Sequence, residues 1–331
     1  MIHNRINWID WAKALCIFLM VCGHSRPFPQ FHDFLYLFHM PVFFIITGIL
    51  YKPKNIKKLI ISLIIPTLIW NMINYPWYLS GIIGHKPITF ENLLSRPILG
   101  LIIHDFNIGI PICGAFWFVL VIFILRLIYP IIHKIRIIHI AFIIFCLFTA
   151  FKSNQAPENG ILFLPQRAII AYPFFLFGIY IKKHQTILSK INRWEISLLL
   201  CSFIILILFS YYLGTFDLYS CNLNYFPLYY CIGIIGFIFI YTLSNKLSSR
   251  YGNPSFIQNI SNGTLVILGL HIIVFPLLNK LINNTDFPGK GELFSIITMI
   301  ILYYPIILIT KYTPIFIGKS KALSKLPKLA Y

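Results

Sequence analysis

The sequence predicts an all-α polytopic membrane protein, a bundle of about ten transmembrane helices with both termini in the cytoplasm. Of its 331 residues, 58% are hydrophobic and 11% are charged, whereas a soluble domain carries about 25% charged residues. About ten apolar runs are each long enough to cross a bilayer. This composition excludes an ordinary soluble enzyme and a disordered chain. The net charge of +18 fits basic cytoplasmic loops, so no nucleic-acid partner is expected.

The ten predicted helices follow from apolar runs of roughly 17 to 25 residues. Pro66 and Pro76 interrupt the third run, the fifth is short, and segment 91–104 could add a short or re-entrant helix. The whole chain, 1–331, is expected to be one transmembrane domain, with a basic cytoplasmic tail at 312–331. The predicted helices lie near 7–24, 34–51, 58–80, 115–133, 136–151, 166–181, 194–213, 227–245, 262–280 and 293–311.

Basic residues lie mostly on one side of the predicted bundle, which sets the orientation. Arg5, the loops after every second helix and the tail hold 18 of the 27 basic residues. The opposite loops hold six basic residues and seven of the nine acids. The first group is Arg5, Lys52, Lys54, Lys57, Lys58, Lys134, Arg136, Lys182, Lys183, Lys190, Arg193, Lys246, Arg250, Lys311, Lys319, Lys321, Lys325 and Lys328. The second is Arg26, Lys86, Arg96, Lys152, Lys280 and Lys290.

A stripe of polar residues runs along one face of the first predicted helix. Lys13 and His24 are 11 positions apart, which at 100° per residue puts them within about 20° of one face and about 16 Å apart along the axis. Asp10 lies near the same stripe. Charged side chains at membrane depth usually face a protein interior or a water-filled cavity. The alternative is that Lys13 extends to the interface and pairs with Asp10.

The motifs around this stripe resemble the membrane acyltransferase-3 family. Its first-helix signature is an acid, then a basic residue, ten residues and a histidine, as at Asp10, Lys13 and His24. Further segments also match in order, and the similarity covers about residues 5 to 311. The closest subgroup looks like the fucose 4-O-acetylase type. The matching segments are Arg5 to Lys13, Phe38 to Phe44 with Thr47-Gly48, Phe116 to Phe118, Phe174 to Gly178, and Ile260-Ser261 with His271.

The resemblance implies transfer of an acyl group, usually acetyl from acetyl-CoA, to a carbohydrate hydroxyl. His24 would be the general base, since a histidine titrates near neutrality. Asp10 would support the Lys13 region as a second catalytic-site residue. Lys13 stands where many members have Arg, and the basic loop after the second helix offers lysines in place of an Arg pair. The residues expected to hold the CoA phosphates are Lys13, Lys57, Lys58 and Arg126. The alternative for Arg126 is a structural arginine that is paired or extends to the interface.

Four more residues are candidates for substrate binding. His39 could approach His24 or be a structural histidine beside Pro41. His271 falls in mid-span, so it needs a partner or faces the cavity. Trp117 could stack on a sugar or belong to an interfacial aromatic belt, and Arg167 could contact the acceptor or anchor its helix at the interface.

No metal is expected. The seven cysteines form no CxxC pair, and no P-loop, GxGxxG or HExxH motif occurs. His24, His39 and His271 could in principle bind zinc, but nothing in their spacing requires it.

The expected partners are the lipid bilayer and a carbohydrate acceptor, free or lipid-linked. The resemblance also implies a bacterial cytoplasmic membrane. The outer loops 84–111, 152–165 and 214–226 are expected to help select the acceptor. Two alternatives stay open: another acyl donor such as succinyl-CoA, and a transporter in which Asp10, Lys13 and His24 relay protons. The Lys13 to His24 spacing favours the enzyme over the transporter.

Overall fold

The computed structural model describes residues 6–83, 87–103, 112–155, 163–223, 225–283 and 285–319. Within these ranges the chain is helical, with one isolated β-bridge between Asp217 and Asn222. Arg5, Lys86, Lys321, Lys325, Lys328 and parts of the predicted outer loops and tail lie outside the described residues. The helices are α1 (Asn7–His24), α2 (Pro29–Tyr36), α3 (His39–Ile49), α4 (Ile56–Leu59), α5 (Ile65–Ile82), α6 (Arg96–Ile103), α7 (Trp117–Ile132), α8 (Arg136–Gln155), α9 (Phe163–Lys183), α10 (Thr186–Arg193), α11 (Glu195–Leu213), α12 (Leu228–Tyr251), α13 (Ser255–Asn262), α14 (Thr264–Leu281) and α15 (Lys290–Tyr312).

The predicted polytopic helix bundle is confirmed. Nine helical segments of the described residues are long and apolar enough to cross a membrane. These nine match the second to tenth predicted spans. The first predicted span is α1, whose 18 residues extend about 27 Å. It is not among the nine, since Asp10, Lys13 and His24 make it more polar than the others, and it lies inside the bundle against α3, α12, α13, α14 and α15.

Several predicted spans are broken where the structure adds a turn. The second divides at Leu37–Phe38 into α2 and α3. The third contains a π-helical turn at Ile60–Ile64 between α4 and α5. The ninth is preceded by the separate helix α13. Segment 91–104 does form a short helix, a π-helical turn at Glu91–Ser95 leading into α6.

Helices α3 and α9 cross so closely that only glycine fits at the contact. A Cβ on Gly48 would lie 2.1 Å from the carbonyl oxygen of Phe175, and a Cβ on Gly178 would lie 2.0 Å from that of Ile45. Small residues let membrane helices approach at their backbones. This crossing explains why a glycine follows Thr47 and why another ends the Phe174 to Gly178 segment. It also fixes His39, at the start of α3, relative to the rest of the bundle.

Candidate functional site

One cavity of about 850 Å³ runs through the bundle beside α1 and has two chemically different ends. Lys13 lines it near the start of α1 and His24 lines it at the end of the same helix. Helix α7 also contributes to both ends of the cavity, with Arg126 towards Lys13 and Trp117 towards His24. These two residues are about 14 Å apart along α7. We call this the first cavity, with a cationic end and a histidine end. Its middle is mostly apolar and includes Ile17, Met20, Phe43, Ile46, Leu265 and Leu268.

Four basic side chains line the cationic end: Lys13, Lys54, Arg126 and Lys319. Partial burial, and then the charges of Arg126 and Lys58, lower the pKa of Lys54. Like charges therefore crowd here, an arrangement that an anion would relieve. Lys57 and Lys58 lie on the exposed turn α4 and do not line the cavity. Of the four lysines in the loop after α3, Lys54 is the one that lines the cavity.

Asp10 and Lys13 are both held by Ser261 at the end of α13. The Ser261 hydroxyl donates to Asp10 Oδ1 at 2.6 Å, and Lys13 Nζ donates to the Ser261 carbonyl at 2.5 Å. The side-chain amide of Asn253 donates to Asp10 Oδ2 at 2.7 Å. Asp10 is buried and lies outside the cavity lining. Its carboxylate therefore fixes α13 against α1 and sets the place of Lys13. Asp10 itself lies about 21 Å along the helix from His24.

At the other end, the side chains of His24 and His271 are hydrogen-bonded to each other. His24 Nδ1 lies 2.8 Å from His271 Nε2, and His271 Nδ1 lies 2.8 Å from the carbonyl oxygen of Ile267. A carbonyl can only accept, so the Nδ1 of His271 carries hydrogen and its Nε2 accepts when the ring is neutral. His24 must then donate from Nδ1, which leaves its Nε2 free to take a proton. His271 is fully buried, whereas the side chain of His24 is exposed to the cavity.

His39 and Trp117 both line the histidine end. The Nδ1 of His39 donates to the Leu35 carbonyl at 2.8 Å, and its ring packs edge-on against Tyr36 with centroids 5.1 Å apart. Trp117 is buried in the cavity wall, so it does not belong to an interfacial belt.

Arg167 is a buried anchor for the loop that closes the histidine end. It is 0% exposed, which excludes an interfacial position. Its Nε donates to the Tyr219 carbonyl at 2.5 Å, and its guanidinium lies 4.0 Å and 3.9 Å from the ring centres of Phe163 and Tyr219. The loop it holds also buries Phe216, Leu218, Cys221 and Leu223.

Asp217, in this loop, is a cavity residue that the sequence reasoning did not single out. It lines the first cavity and accepts hydrogen bonds from the backbone N–H groups of Tyr219 and Ser220 at 2.9 Å and 3.3 Å. An acid in a predicted outer loop gives no signal by itself. The alternation of Phe216, Leu218, Cys221 and Leu223 around it could have indicated that the loop folds inward.

A second cavity, of about 800 Å³, lies beyond the end of α1. It is formed by residues 24–29, the second half of α14 from Ile272 to Asn279, residues 286–292 and Phe294. His24, Ile272 and Phe275 line both cavities. His24 therefore stands where the two spaces meet. Across the described residues, no three His, Cys, Asp or Glu side chains converge as metal ligands.

Residues 6–313 match the family model described as an acyltransferase domain, acyltransferase 3. The match spans α1 to α15 and includes the lining of the first cavity except for Ile317, Gly318 and Lys319. Comparison with curated proteins and with solved structures gave no match.

Proposed function

Because the chain belongs to the acyltransferase 3 family, we propose that it is a membrane O-acetyltransferase that moves an acetyl group from acetyl-CoA to a carbohydrate hydroxyl, with His24 as general base. The observation that carries the proposal is the first cavity, which joins a cluster of four basic side chains to the His24–His271 pair. A donor with a phosphate-bearing head and a long uncharged arm matches that polarity.

The division of charge along the first cavity favours one direction for coenzyme A. Its phosphate groups would lie against Lys13, Lys54, Arg126 and Lys319, where cationic side chains suit phosphate recognition. Its pantetheine arm would follow the apolar middle. The thioester would then reach the histidine end, about 16 Å away along α1. Family membership and this division of charge together favour covalent transfer over a carrier that relays protons.

The chemistry at His24 is general base catalysis. The Nε2 of His24 removes the proton of the acceptor hydroxyl while the oxygen attacks the thioester carbonyl carbon. A C–O bond forms, the C–S bond breaks, and the proton passes from His24 to the departing thiolate. His271 accepts from His24 Nδ1 and so holds the ring with Nε2 available. Because His271 is buried, water does not compete for the hydrogen bond between His24 Nδ1 and His271 Nε2.

Several finer assignments belong to the same proposal. The first-helix and His-Met-Pro motifs favour the fucose 4-O-acetylase-like subgroup, and the distribution of basic loops favours cytoplasmic termini. A bacterial cytoplasmic membrane follows from the resemblance. The cationic end would then open towards the cytoplasm, where acetyl-CoA is made, and His24 would lie towards the outer half of the bilayer.

The test is transfer of radiolabelled acetyl from acetyl-CoA in membranes that contain the full chain. We expect label in base-labile glycan with the wild type and with His184→Ala, a histidine outside both cavities. We expect its loss in His24→Ala, by about 10²- to 10⁴-fold, with the amount of folded protein unchanged. Full activity of His24→Ala would rule out His24 as the general base. If the wild type transfers no acetyl from acetyl-CoA but transfers succinyl from succinyl-CoA, the donor is succinyl-CoA and not acetyl-CoA.

A further inference from the structure

The second cavity approaches His24 from the side opposite the cationic end. Along α1, Lys13 marks the donor end and the second cavity begins where the helix stops. Only His24, Ile272 and Phe275 line both spaces among the described residues. Ile272 follows His271 directly on α14, so the segment of α14 that bonds His24 also contributes a residue to the partition. A second substrate entering here meets His24 without passing the donor.

The walls of the second cavity are held rigidly. The backbone N–H of Phe28 donates to Glu292 Oε1 at 3.1 Å, and Ser295 donates to the Ser25 hydroxyl at 2.9 Å. A Cβ on Gly291 would lie 2.6 Å from the Arg26 carbonyl oxygen. Arg26 itself has a φ of 58°, a left-handed conformation that costs a non-glycine residue free energy and persists only when its surroundings enforce it.

The chemistry of this cavity differs from that of the cationic end. Two bases, Arg26 and Lys290, are balanced by two acids, Asp286 and Glu292, with Lys290 donating to Asp286 at 2.8 Å. Balanced charge gives little attraction for a phosphate group. It does offer both donors and acceptors to a ligand rich in hydroxyl groups.

Two phenylalanines complete the second cavity. Phe28 is 51% exposed and Phe287 is 41% exposed, and both line the cavity. Exposed aromatic faces beside charged hydrogen-bonding groups suit the C–H faces and hydroxyl edges of a sugar. Interfacial belts use Trp and Tyr in preference to Phe, so a belt explains this pair less well.

We infer that the second cavity is the acceptor site and takes a neutral carbohydrate segment, an assignment that rests on the proposed function. Phe28 and Phe287 offer stacking surfaces, and Arg26 and Asp286 bind hydroxyl groups at the entrance. The hydroxyl to be acylated reaches His24 Nε2 at the partition. Donor and acceptor thus enter from opposite ends and meet at one side chain, so either can leave without displacing the other.

The experiment measures apparent KM for both substrates with the full chain in membranes. The acceptor probe is envelope glycan from cells that encode the chain, treated with base to remove existing O-acetyl groups. The variants are Phe287→Ala and the double variant Arg26→Gln with Asp286→Asn, all at exposed positions. The matched controls are Phe148→Ala, an exposed phenylalanine of α8, and Arg193→Gln, an exposed arginine of α10. Neither residue lines either cavity.

We expect the acceptor KM to rise about 10-fold in the double variant, because lost hydrogen bonds to charged groups weaken binding by that order. We expect a severalfold rise in Phe287→Ala, because it removes a stacking surface. The KM for acetyl-CoA should stay within about twofold, and the controls should match the wild type. Unchanged acceptor KM in both variants, or an equal rise in both KM values, would overturn the assignment while leaving the proposed function standing. Failure of the wild type to transfer acetyl would overturn both.

Discussion

The imidazole of His24 donates from Nδ1 to Nε2 of His271 at 2.8 Å, and His271 in turn donates to the Ile267 carbonyl. The two residues are 247 positions apart, on α1 and α14. The backbone carbonyl is the fixed point of this chain of bonds, since it can only accept. It decides which nitrogen of His24 is left to receive a proton. The orientation of the His24 ring is therefore set by a helix other than its own.

The first prediction concerns this orientation. His271→Leu removes the acceptor for His24 Nδ1, so His24 can rotate or exchange tautomers. We expect kcat to fall about 100-fold, within the range of general base catalysis, while both KM values stay within about twofold. His271→Gln can place its Oε1 near the former Nε2 and should recover part of kcat. Steady-state kinetics on equal amounts of folded protein provide the measurement. Equal activity of the Leu and Gln variants would contradict an orienting role.

The second prediction separates the cavity lysines from the surface lysines. Lys13→Gln and Lys54→Gln should each raise the KM for acetyl-CoA about 10-fold, as expected for a lost charged contact, with kcat nearly unchanged. Lys57→Gln and Lys58→Gln are the controls and should behave as the wild type.

Salt adds an independent check on the same lysines. Added salt should raise the wild-type KM for acetyl-CoA and should raise it less in the two cavity variants, since screening weakens exposed charge pairs. An equal effect of Lys54→Gln and Lys57→Gln would show that the donor phosphates bind outside the cavity.

The fold could be predicted because a bilayer requires long apolar helices, and hydropathy detects these directly. The stripe on α1 was equally accessible, since 100° per residue places Lys13 and His24 on one face. The structural breaks were not, because the π-helical turn at Ile60–Ile64 and the division at Leu37–Phe38 leave no mark on hydropathy.

Contacts between side chains of different helices also could not be predicted from the sequence. Arg126 and Arg167 gave the same signal, a charge inside an apolar run. Packing alone made Arg126 a cavity residue and buried Arg167 between Phe163 and Tyr219. The choice of Lys54 over Lys57 and the inward fold of the Asp217 loop likewise depend on tertiary contacts.

The third prediction tests whether Asp10 acts in chemistry or in positioning. Asp10→Asn keeps one acceptor oxygen but loses at least one of the bonds to Ser261 and Asn253. We expect the free energy of unfolding to fall by about 1–3 kcal/mol and the KM for acetyl-CoA to rise, because Lys13 depends on the position of Ser261. Since His24 lies about 21 Å away along α1, kcat should not change.

Ser261→Ala is the matched variant for Asp10→Asn, because it removes the hydroxyl and keeps the carbonyl that Lys13 binds. It should lower stability with a smaller effect on the KM for acetyl-CoA. Thermal unfolding in detergent and steady-state kinetics measure both quantities. A loss of kcat in Asp10→Asn with KM unchanged would instead give Asp10 a direct catalytic role.

The fourth prediction concerns the glycine crossing that holds α3 against α9. Gly178→Ala would place a Cβ 2.0 Å from the Ile45 carbonyl oxygen, so the helices must separate. Overpacking of this kind costs about 1–3 kcal/mol, and here the obstructing atom is backbone. Gly81→Ala is the control, because no atom lies within 4 Å of its Cβ position, and a helical Gly→Ala change gains about 0.5–1 kcal/mol. The two substitutions should therefore shift the unfolding temperature in detergent in opposite directions. A Gly178→Ala protein as stable as the wild type would mean that the α3–α9 crossing is looser than its backbone distances require.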